Sequence, residues 1–266
     1  MVDARRPAAA GVFYPAEREL LARTVRALLD VQPASKPGSR GARLLRGIVV
    51  PHGMIGVAGA VSAAGWTRVA RQAERFSRVL LLGPAHHSQF AGVAAPFADA
   101  FATPLGAVEV DRIAIETARR FPQLLVSDEP HEQEPALEVH LPFVQIILPS
   151  ATIVPLLVGE AEDTETADLV ESLWDERTLL VVSTDLSHYH DAATAQRIDR
   201  ATAEAVEALD GTPIQEDQAC GHAALRGALL VARRRGLRAA RLDLRHSGES
   251  SGELGEVIGF GAFSFA

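Results

Sequence analysis

Short apolar, β-branched runs alternating with amphipathic stretches restrict this chain to few folds. The runs are Gly47-Ile48-Val49-Val50, Val79-Leu80-Leu81-Leu82, Thr152-Ile153-Val154, Leu179-Leu180-Val181-Val182 and Val257-Ile258-Gly259-Phe260. Runs this short, with no polar alternation, read as strands buried on both faces. Between them, Glu19 to Leu29 carries Leu21, Val25 and Leu28 at helical spacing. Thr166 to Trp174 sets Leu169, Val170, Leu173 and Trp174 on one face. Ala223 to Arg235 does the same with Leu225, Ala228, Leu229 and Ala232, and Gly236 follows as the residue that ends the helix. The alternation predicts one α/β domain over residues 1–266, with a mainly parallel or mixed central sheet covered by helices on both faces. Gln32 to Arg43, rich in Pro, Gly and Ser, reads as a surface loop.

Several chemistries are disfavoured at once. A net charge of −8 and a pI near 5.6 oppose nucleic-acid binding, which calls for a basic patch. Lys36 is the only lysine, in the loop-like Ala34-Ser35-Lys36-Pro37-Gly38, which disfavours both a phosphate-cradling Gly-Lys-Ser/Thr loop and a desolvated Schiff-base lysine. No apolar run reaches the roughly 18 residues of a membrane span, and the first residues lack the apolar stretch of a secretory leader. The single cysteine, Cys220, rules out an intrachain disulfide and fits a reducing compartment. The expected location is the cytoplasm, without a nucleic-acid or membrane partner.

The histidines are unevenly placed. His52 follows the strand ending at Val50, and His86 and His87 follow the strand through Leu82. His188 and His190 follow the strand through Val182, in Ser183-Thr184-Asp185-Leu186-Ser187-His188-Tyr189-His190. Three strands thus deliver imidazoles just past their carboxyl ends, the edge where open α/β sheets bind ligands. Cys220 stands before a helix whose unpaired N–H groups favour a thiolate, the metal-binding form. A buried structural thiol is an equally good reading. Glu132 to Pro142 is a second polar concentration, read as a solvated helix start with its acids at the positive end of the dipole. Gly248-Glu249-Ser250-Ser251-Gly252 satisfies the G-x-S-x-G nucleophile pattern, but no histidine follows it and the next element is a strand, so it reads as a turn.

In order and spacing, a set of these segments resembles the Memo-like family, whose prokaryotic members are called AmmeMemoRadiSam system protein B. They are Arg6-Pro7-Ala8-Ala9-Ala10-Gly11-Val12-Phe13-Tyr14-Pro15, Pro51-His52, Gly83-Pro84-Ala85-His86-His87, Leu137-Glu138-Val139-His140-Leu141-Pro142, Ser183 to His188, Cys220-Gly221 and Ser247-Gly248-Glu249. The family is similar to class III extradiol ring-cleaving dioxygenases, which hold non-haem Fe(II) on two histidines and a carboxylate. The resemblance implies that His52 and His86 are metal ligands, with Cys220 at the carboxylate position. It gives His188 the acid/base role, with Asp185 beside it as an orienting partner. This chain departs from the family text at Gly53-Met54-Ile55, which removes an aromatic, and at Pro135, which replaces a histidine.

A His₂Cys set is softer than the 2-His-1-carboxylate set of oxygen-activating iron. The metal expectation is therefore Fe(II) first, with copper or zinc as alternatives. One functional expectation is a metal-dependent redox enzyme in which His188 moves protons. The other is a metal-binding or interaction module that uses the same pocket for a small molecule, a peptide or a protein partner. Zinc-assisted hydrolysis is a weaker third.

Overall fold

Residues 3–31 and 44–266 are described by the computed structural model; the loop expected over residues 32–43, with Lys36, lies outside them. The expected strands form, Gly47–Val50 as read and the others longer than their apolar cores: Arg78–Pro84, Thr152–Val158, Thr178–Ser183 and Val257–Phe265. Four of them make a parallel centre, in the order Gly47–Val50, Thr178–Ser183, Arg78–Pro84, Thr152–Val158. Their middles are wholly buried, which is why they lack polar alternation. Val257–Phe265 joins antiparallel beside Gly47–Val50, and Ala239–His246 and His188–His190 pair with it in turn. Val93–Ala95 pairs antiparallel with Thr152–Val158 on the other side, so the sheet is mixed.

The expected helices appear as Arg18–Asp30, Asp163–Leu173 and His222–Arg234. Glu17 caps the first by accepting from the N–H groups of Glu19 and Leu20, at 2.8 and 2.6 Å. Gly236 adopts φ +63° past the last one, as its position predicts. Ile55–Ala70 was not foreseen in the periodicity. It lies so close to the sheet that a Cβ on Gly65 would sit 2.5 Å from Val50 Cγ1, a distance only glycine permits. Gly248–Ser251 is one helical turn between the antiparallel strands Ala239–His246 and Val257–Phe265, in keeping with the turn reading of that motif. Among the described residues, no helix is long and apolar enough to cross a membrane.

The run from Glu132 to Pro142 departs from expectation. It holds two short helices, Pro135–Glu138 and Leu141–Ile147, and although Glu132 and Gln133 are exposed, three of its polar side chains are interior: Glu134 is 2 % exposed, Glu138 0 % and His140 1 %. The solvated helix start is thus corrected. Arg5, 8 % exposed, explains it: its guanidinium donates to the Glu138 carboxylate and to the backbone oxygens of His131 and Glu134. Ala8 N–H, Ala9 N–H and the Tyr14 hydroxyl donate to the same carboxylate. A buried charge is tolerable when paired and hydrogen-bonded on all sides.

His131, beneath this network, is 2 % exposed and hydrogen-bonds Ala94 O through Nε2 at 3.1 Å. Burial pushes its pKa down to about 3. In a nitrogen-15 NMR titration its ring is therefore expected to stay neutral until the pH nears 3. A midpoint near the ordinary histidine value would contradict this placement.

Candidate metal centre

The parallel register sets Val50 level with Ser183, so the chain leaves both strands at the same edge. His52 lies two residues past Val50 and is 5 % exposed. Its turn is pinned by Asp185 Oδ1, which accepts from the N–H groups of His52 (2.9 Å) and Gly53 (3.2 Å). His86 lies two residues past Pro84, its side chain 36 % exposed. Cys220 reaches the same edge from the loop before His222–Arg234. There Gly221 passes so near the strand end that a Cβ would meet Ser183 O at 2.7 Å, and its N–H donates to Thr184 Oγ1 at 2.9 Å.

One donor atom each of His52, His86 and Cys220 lies within 4.8 Å of the other two, although the residues are far apart in sequence. Cys220 Sγ is 3.4 Å from His52 Nε2, and the two imidazoles meet edge to face with centroids 5.1 Å apart. Nitrogen and sulfur donors bonded to one ion at about 2.0–2.3 Å stand roughly 3–4 Å apart, so the set fits a single ion after small adjustment. Both rings are oriented from behind. His52 Nδ1 is 2.9 Å from Ser183 Oγ, and His86 Nδ1 is 2.9 Å from Glu134 Oε1. Each Nε2 is left for the shared point, the arrangement in which metal-ligating histidines are held.

The electrostatics follow from cover and neighbours. Burial, then the nearby His86, lowers the His52 pKa to about 3, so this ring is neutral and keeps a lone pair. The hydrogen bond to Glu134 raises that of His86. Burial pushes the Glu134 carboxyl up, but its hydrogen bonds from the His86 ring and the backbone of His86 and Ala136 outweigh that and leave it lowered. Pro135 sits in the first turn of the helix that Glu134 caps, where a missing N–H costs nothing.

Cys220 combines features of both sequence readings. Its sulfur faces His52, yet burial and the Asp185 carboxylate push the thiol up to about 12. The lowering expected from the helix start is overcome, because the helix begins only at His222 and the thiol is covered. A thiolate here calls for a cation beside it.

His188 occupies the wall of a cavity of about 750 Å³ that His86, His87, His190 and Cys220 also line. It begins a short strand in which Tyr189 takes the strained φ of +61°. Asp185 was expected to orient His188; its Oδ1 instead holds the His52 turn, with Oδ2 3.9 Å from His52 Nε2. Burial raises the Asp185 carboxyl to about 6 even against the lowering effect of the nearby His188. Sequence reasoning missed Ser183 and Glu134 as supports of the imidazoles; a serine closing a strand between two histidine-bearing strand ends was the available sign.

The family model described as Memo-like protein matches residues 5–264. A MEMO1 family protein of Thermotoga neapolitana is 31 % identical, the alignment covering 96 % of this chain and 97 % of the relative. One from Methanopyrus kandleri is 30 % identical over 98 % of each. Among solved structures, an uncharacterized protein of Escherichia coli superposes with a TM-score of 0.55 at 10 % identity, covering 83 % of this chain and 99 % of the other, a likeness of fold.

Proposed function

The chain belongs to the Memo-like protein family, and from that membership we propose that it is a metal-dependent redox protein resembling the non-haem iron dioxygenases. The observation that carries this reading is the convergence of His52, His86 and Cys220 within 4.8 Å. Fe(II), or copper, bound there would supply electron-transfer and oxygen chemistry, whereas zinc would supply Lewis acidity alone.

The chain's own residues have separate tasks in this reading. Glu134 aims His86, Asp185 fixes the turn that carries His52, and Cys220 contributes the soft donor. His188, in the cavity wall, takes a proton from a bound molecule and returns it; an imidazole suits both directions near neutral pH. Among the described residues, the lining of this cavity holds Glu216 and Asp217 but no lysine or arginine, which favours a neutral or cationic ligand over an anion. The same walls fit the second reading, a module that binds metal together with a small molecule or peptide without turnover.

Cys220→Ser separates ligation from folding. Serine is nearly isosteric, but its hydroxyl stays protonated and is a poor ligand for a soft metal. Elemental analysis of protein purified anaerobically is expected to find the metal lost from the variant while its unfolding midpoint moves little. Equal metal content in both proteins would remove Cys220 from the ligand set.

A further inference from the structure

Ser183 closes its strand with the side chain fully buried, and three groups surround its hydroxyl. Ala136 O is 2.7 Å from Oγ, His52 Nδ1 is 2.9 Å away, and His140 Nε2 is 2.9 Å away. A hydroxyl has one hydrogen to give and two lone pairs to receive with. The Ala136 carbonyl can only accept, so the hydrogen goes there. Both imidazoles must then donate. If His52 carried its hydrogen on Nε2 instead, Nδ1 would press a lone pair against an oxygen with no hydrogen left, and Nε2–H would point at Cys220 Sγ, 3.4 Å away.

We propose that Ser183 is a positioning residue whose hydroxyl, committed to Ala136 O, fixes His52 as the Nδ1–H tautomer and bares its Nε2 lone pair towards Cys220 and His86. The inference rests on the metal reading for its purpose but not for its geometry. His140 serves the same arrangement from the far side. It occupies the second lone pair of Oγ, which leaves the hydroxyl no freedom to turn, while its own Nδ1 is buried with no hydrogen-bond partner among the described residues. His140 and His52 both contact the Ser183 hydroxyl, which links the two rings.

The test has an arm without metal and an arm with it. In metal-free wild-type protein labelled with nitrogen-15 histidine, His52 is expected to show a protonated Nδ1 and a bare Nε2. In Ser183→Ala the two tautomers should mix. Co(II) titration, read by sulfur-to-metal charge-transfer absorption, should then show affinity falling by roughly 10–100-fold, the usual cost of losing a partner behind a ligating histidine. An Nε2–H tautomer in the wild type overturns the proposal, and so does an unchanged tautomer in Ser183→Ala. Co(II) affinity equal in both proteins denies Ser183 a part in ligation. A wild type that takes up no Co(II) while His52 is Nδ1–H refutes the metal reading and leaves the tautomer assignment standing. The wild-type spectrum decides the assignment even if the variant does not fold.

Discussion

Arg5→Ala is expected to destabilise the protein by about 3–5 kcal/mol, the usual cost of removing one partner from a buried ion pair. Glu138 would be left at 0 % exposure with only Tyr14 and two backbone N–H groups to hold it. The backbone oxygens of His131 and Glu134 would each lose a donor as well. Against a typical total stability of about 5–15 kcal/mol, such a loss brings the fold near its limit. Arg5→Lys should rescue little, because a single ammonium cannot reach three acceptors laid out for a planar fork. Urea unfolding measures both variants, and a loss below about 1 kcal/mol for Arg5→Ala would show that the pair is mere decoration. The effect should also reach the candidate metal ligands, since the helical turn that holds Glu138 begins at Glu134, which hydrogen-bonds His86.

His188→Ala is expected to leave metal content nearly unchanged while lowering turnover by roughly 10²–10⁴-fold, the scale of general acid–base catalysis. The reason is position: His188 lines the cavity, whereas the convergent donors are His52, His86 and Cys220. Elemental analysis beside any oxygen-consuming turnover makes the comparison. Metal lost as completely as in His52→Ala would make His188 a ligand. Unchanged turnover in both variants would favour the binding module.

The parallel strands were legible because burial on both faces turns a strand into an uninterrupted apolar run, as in Val79-Leu80-Leu81-Leu82. Ile55–Ala70 escaped because it is buried on most sides and built largely of Ala, Gly and Val, so no polar face marks its period. Ala239–His246 escaped for the opposite reason, being a half-exposed strand broken by Arg241, Asp243 and Arg245. His52 and His86 stood out because strand ends mark a binding edge. The interior roles of Glu134, Glu138 and His140 were hidden, since Glu138 meets Arg5 across 133 residues and His140 meets Ser183 across 43. Carboxylates at a helix start look the same in sequence whether water or a guanidinium receives them.

The separation of the donors along the chain links folding to occupancy. His52 and Cys220 stand 168 residues apart, so an unfolded chain would have to close a very long loop to offer both to one ion. A chelate of this span exists only after the parallel strands have aligned their ends. An ion held there would act as a reversible staple between strand ends, and above its dissociation constant it would add to native stability with the logarithm of its free concentration.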